Sequence, residues 1–103
     1  MGESFSVTEP KTTWEKYYID IDISTWLDEE TISDVTFKAY DEDGVDVSTT
    51  ILDSNKCTYS GSIVRIYVQN GTDGEGYYVI CKVQSSGNNY KEYMVFFKVQ
   101  DLI

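Results

Sequence analysis

Histidine is absent from this chain. With it go the usual general base, the Ser-His arrangement of nucleophilic hydrolases and the commonest metal ligand. Basic residues are scarce too: 8 Lys and Arg face 18 Asp and Glu, for a formal charge of −10. Such a surface repels phosphate backbones and anionic lipid, so neither nucleic acid nor membrane is an expected partner. No run approaches the ~18 apolar residues of a spanning helix, and no signal-type apolar core opens the chain. On that reading the protein is made and kept in the cytosol. Of the two cysteines, Cys57 and Cys81, neither belongs to a Cys-x-x-Cys pair. Cys81 takes an inward strand position, which favours a buried free thiol, with a disulfide to Cys57 as the alternative.

What the chain has in quantity is Val, Ile, Thr and nine tyrosines, a bias toward strands. With 103 residues it fits one domain of modest core. Tyr17 to Ile23 alternates cleanly, with Tyr17, Ile19, Ile21 and Ile23 on one face and Tyr18, Asp20 and Asp22 on the other. A compact corner pinned by Trp26 and Leu27 follows, with room for one helical turn. Ile32 to Tyr40 alternates again, with Val35, Phe37 and Ala39 inward. Val45 to Leu52 is expected to give one or two short strands, Asn55 to Ser60 another, and Ile63 to Val68 a further one with Val64, Ile66 and Val68 on one face. From Tyr77 to Val99 two alternating runs flank a Ser-Ser-Gly-Asn-Asn turn, a hairpin signal. About seven strands with regular turns predict an all-β, Ig-like antiparallel sandwich over residues 14–101. Tyr77, with Asp73 shortly before it, suits a tyrosine corner at the start of the penultimate strand. The cysteine that immunoglobulin domains place two positions later is Val79 here. Residues 1–13 read as a polar arm, either frayed or docked on a neighbour through Phe5 and Val7.

Candidate chemistry is sparse. Asp41-Glu-Asp-Gly44 fails the register of an EF-hand loop and reads as a solvated hairpin tip, with weak Ca²⁺ binding over 41–46 as the alternative. Asn70-Gly-Thr72 is read as turn chemistry, and Gly71, Gly74 and Gly76 lack the helix and Lys of a phosphate loop. No catalytic residue, cofactor or metal ligand is assigned, and an enzyme is not expected. The hairpin carries the main signal. Folded about Gly87, it pairs Tyr77 with Phe97, Val79 with Val95 and Cys81 with Tyr93 on one apolar face. Its other face pairs Tyr78 with Phe96 and Ile80 with Met94, leaving a second apolar surface that the arm or a bulge covers, or that binds another protein.

Three groups of marks stand in order along the chain: Tyr18, Ile19-Asp20, Trp26-Leu27 and Thr31-Ile32; Gly71-Thr72, Gly74, Tyr77 and Val79; and Val99 with Asp101. In these marks the chain resembles the phage fiber-tail adaptor proteins, small Ig-like components of tailed-phage virions. The resemblance implies a non-enzymatic virion part assembled in the host cytoplasm, in several copies, joining tail or neck components to fibres. Its partners would be other virion proteins, and Tyr78, Ile80, Met94 and Phe96, with Phe5 and Val7, are the candidate interface. An Ig-like module binding carbohydrate through exposed Tyr18, Tyr67 or Tyr90, or binding calcium, is the alternative.

Overall fold

The computed structural model of the protein describes residues 3–7 and 9–103; of the arm, Met1, Gly2 and Thr8 lie outside the described residues. Seven strands form two sheets. They are β1 (Glu3–Ser6), β2 (Tyr17–Asp22), β3 (Ile32–Asp41), β4 (Thr58–Ser60), β5 (Ile63–Val68), β6 (Gly76–Ser85) and β7 (Tyr90–Lys98). One sheet runs β1-β7-β6-β3 and the other β2-β5-β4. That is the arrangement of a constant-type immunoglobulin sandwich with its first strand moved beside the last. All pairings are antiparallel except β1 on β7, where Phe5 lies opposite Val95. The segment read as an arm thus supplies a strand to one sheet. Its partnership continues past β1, because the Val7 amide donates to the Phe96 carbonyl at 3.0 Å and Lys11 bridges to Val99.

The alternations seen in the sequence set the core. Ile21 of β2 and Val64, Ile66 and Val68 of β5 are buried in one cluster with Val79, Cys81 and Val83 of β6 and Val95 and Phe97 of β7. Both cysteines are free thiols. Burial pushes the Cys81 thiol up to about 12, so it sits in the core as a small protonated hydrophobe.

The expected strands over Val45 to Leu52 are not formed. A single helical turn, α2 (Ser48–Ile51), stands there. The Asp46 carboxylate accepts from the Ser48 amide at 2.9 Å and from its hydroxyl at 2.6 Å, a local bond that competes with extended backbone. The turn drives Ile51 fully into the core, beside buried Leu52. The other corner does contain its helical turn, α1 (Ser24–Leu27), ended by left-handed Asp28 and with Leu27 buried.

At the end of the sandwich holding the β6–β7 hairpin, Glu30 reaches across and clamps the tip. Its carboxylate accepts from the Ser85 hydroxyl, the Gly87 amide at 3.1 Å and the Asn89 side chain at 3.1 Å. Gly87 leaves the space for it: a Cβ there would fall 2.7 Å from the Glu30 carboxylate. At the opposite end Lys11 is fully buried, its ammonium donating to the Thr12 and Asn70 carbonyls. Burial lowers its pKa, against the raising pull of Glu15 and Asp101.

Candidate functional site

Strand register decides which side chains share the outer face of the four-stranded sheet. Across β1, β7, β6 and β3 the rows are Ser6–Phe96–Tyr78–Tyr40 and Ser4–Met94–Ile80–Lys38. Toward the hairpin they continue as Glu92–Lys82–Thr36 and Tyr90–Gln84–Asp34. The hairpin pairs are those read from the sequence, so Tyr78, Ile80, Met94 and Phe96 do meet, each half-buried. Tyr78 and Phe96 are 5.0 Å apart between ring centroids, and Phe96 also lies over Gly76, where a Cβ would come within 2.7 Å of it. Half-buried Tyr40 extends the patch and was not singled out in the sequence; it follows once β3 is known to lie beside β6. Ion pairs bound the patch on two sides, Lys38 to Asp46 at 3.5 Å and Lys82 to Glu92 at 3.6 Å. An apolar centre inside a charged rim is the anatomy of a protein-binding surface.

Phe5 and Val7 are not on this face. Phe5 is turned toward the sandwich interior, stacked on Tyr93 at 6.1 Å and 40% exposed, and half-buried Val7 packs against the core. Tyr77 is buried against Phe97, and the Thr72 amide donates to its hydroxyl at 2.9 Å, the bond a tyrosine corner makes to backbone upstream. Asp73 is engaged elsewhere, accepting from the Asp101 amide at 2.9 Å.

Of the tyrosines considered as sugar platforms, Tyr18 and Tyr67 stand edge to face at 4.8 Å on the other sheet. Arg65 lies 4.5 Å over the Tyr18 ring and Lys56 lies 4.3 Å over that of Tyr67. Arg65 is in turn fixed by a bidentate pair with Asp20 at 2.7 and 2.9 Å, whose hydrogen bonds hold the Asp20 carboxyl below its usual range. Tyr90 is open, beside a shallow groove of about 480 Å³ lined by Asp34, Thr36, Lys82, Gln84 and Glu92. In the 41–46 loop, Asp41 Oδ1 accepts from the Asp43 and Val45 amides. Among the described residues no three carboxylates converge closely enough to hold a metal ion, and no helix is long and apolar enough to cross a membrane.

Trp14 stands outside the motifs that the sequence marks. It is 88% exposed in a turn that is held firmly from both sides. The Thr12 amide donates to Glu15 and the Glu15 amide to the Thr12 hydroxyl, while the Thr13 amide and hydroxyl donate to the Asp101 carboxylate at 2.8 to 3.0 Å. The available signal was a lone tryptophan in a polar run, Lys11-Thr-Thr-Trp-Glu-Lys16.

No curated protein matches the chain. Residues 11–98 match the family model Gp77, described as podophage GP4 fiber-tail adaptor protein gp77. The match begins at Lys11, which ties the first segment to β7, and ends with the last residue of β7. It takes in both sheets except β1, and all of the hairpin that carries the outer patch. The chain therefore belongs to the Gp77 podophage fiber-tail adaptor family.

Proposed function

We propose that this protein is a non-enzymatic connector of the virion, seated against a neighbouring tail, neck or fibre subunit by the outer face of its four-stranded sheet. The observation that carries this is the Tyr40–Tyr78–Phe96 and Ile80–Met94 patch. It is an uncharged aromatic and aliphatic surface on a chain whose remaining surface is strongly acidic. Tyr, Phe and Met are the side chains that protein interfaces concentrate, and a flat sheet face presents them with little rotamer freedom left to lose. On this reading the chain works in several copies, assembles in the host cytoplasm, and engages neither nucleic acid nor membrane.

Ile80→Glu with Met94→Glu tests the face. Both positions are half-buried on the outer surface, while Phe96 also packs on Gly76 and is left alone. The double variant is expected to keep the wild-type circular dichroism spectrum and to enter particles at least about 30-fold less efficiently than wild type, as loss of a central interface cluster does. Equal incorporation of variant and wild type would remove this face from the contact.

A further inference from the structure

The connector reading concerns a sheet face, but the opposite end of the molecule from the hairpin has a chemistry of its own. Four segments meet there, because β2 begins, β3, β5 and β7 end, and β6 begins at that end. They are residues 9–16, 41–46, 69–75 and 99–103. Together they hold nine of the chain's 18 carboxylates and two lysines, of which Lys11 is buried. From this acidic end Trp14 projects on its locked turn, and Val45, at the tip of the 41–46 loop, is exposed as well. Between the loops lies a recess of about 390 Å³, with Asp41, Asp43 and Glu75 at its rim and Ile51 and Tyr77 in its lining.

We propose that this end is a second docking surface, for a basic protein partner that covers Trp14 with an apolar pocket and places a Lys or Arg side chain in the recess. Three features argue for that occupant. An exposed tryptophan whose backbone is already fixed loses little entropy on binding, and tryptophan is the side chain most enriched among residues that dominate interface energy. The carboxylates around the recess are too dispersed to close on a metal ion, but they suit a guanidinium or ammonium brought in on a partner. A second copy of this chain would bring its own acidic end into contact, and like charges at that range repel. The proposal deepens the connector reading, since a connector needs two distinguishable contacts, yet it stands on different residues.

Each recombinant neck and tail protein of the same phage serves in turn as the probe, titrated into the full chain while tryptophan emission is followed at about 50 mM and about 500 mM NaCl. Trp14 is 88% exposed whereas Trp26 packs against the core, so a partner that buries Trp14 is expected to shift the chain's emission to the blue. One probe is expected to do this, more weakly at high salt. With binding read by titration calorimetry, which needs no reporter tryptophan, Trp14→Ala should weaken that complex about 30-fold or more with unchanged thermal unfolding, and Asp43→Asn with Glu75→Gln should weaken it and flatten its salt dependence. If no probe shifts the emission, or if every probe that binds does so equally well to Trp14→Ala, the proposal falls. The Ile80→Glu, Met94→Glu variant run alongside separates the two surfaces. Loss there, with full binding by the loop-end variants, overturns the present inference and leaves the sheet-face reading standing.

Discussion

Tyr77 joins two parts of the structure through one side chain. Its ring is buried against Phe97, and its hydroxyl accepts the Thr72 amide at the bottom of the β5–β6 loop. Gly71 in that loop packs so closely on Val99 that a Cβ would fall 2.7 Å from it, and its φ of +105° is one that side chains resist. The loop is therefore held by one hydroxyl and one missing side chain. Tyr77→Phe keeps the ring and leaves the Thr72 amide without its acceptor. It should cost about 1 to 2 kcal/mol, read as a lower urea midpoint with an unchanged slope. Tyr77 could be chosen from the sequence because a tyrosine beside Gly76 at a strand start is a local pattern. Its partner could not be chosen, since Thr72 and Asp73 are adjacent and only the path of the C-terminal segment sends Asp73 to Asp101.

At the scale of elements, the β6–β7 hairpin was legible to the residue. Its alternation, its turn and its register all agree, and period-2 patterning fixes register wherever one face is buried. The α2 turn was not legible as a strand or as anything else by that rule. Val47, Ile51 and Leu52 carry a helical spacing too short to stand out, and Thr49 and Thr50 read as β-formers. What decides it is tertiary, the need to plug Ile51 into the end of the core where the chain crosses between sheets. Glu30 was likewise out of reach, since it acts on the hairpin from 55 residues away. The bond from Ser85, followed by those from Asn89 and Gly87, lowers its carboxyl pKa from the ordinary 4.5. A carboxylate held low stabilises the fold above its unfolded pKa and loses that contribution as pH falls through the folded value. Glu30→Gln should therefore be less stable than wild type at pH 7, with a smaller gap when the measurement is repeated at about pH 3, below the ordinary carboxylate range. A gap that stays constant in urea unfolding at both values would show that the clamp does not depend on the charge.

For the whole molecule, the charge of −10 sets how any contact responds to salt. Copies arranged side by side repel over roughly the 8 to 10 Å of the Debye length, and salt relieves that repulsion. Contact through the apolar sheet face should thus strengthen with added salt, while docking of a basic partner at the loop end should weaken. Light scattering after size exclusion, from dilute to concentrated protein at low and high salt, reads the first directly. A mass that falls as salt is raised would contradict a self-contact through the uncharged face. The composition alone carried the net acidity of the molecule. The division into an apolar face and an acidic end needed the topology, because residues 9–16, 41–46, 69–75 and 99–103 are far apart in the chain.

The parallel pairing of β1 with β7 has a mechanical meaning. β1 enters at the hairpin end of the molecule, whose long dimension is 47 Å, and β7 leaves at the loop end. Tension applied between the two chain ends pulls these neighbours past each other along their length. The bonds from Val7 to Phe96, from Lys11 to Lys98 and from Gln100 to Lys11 then share the load together instead of opening one at a time. Here the strand that closes the sheet is also the one oriented to bear that pull in shear, where the rate of forced unfolding is what matters.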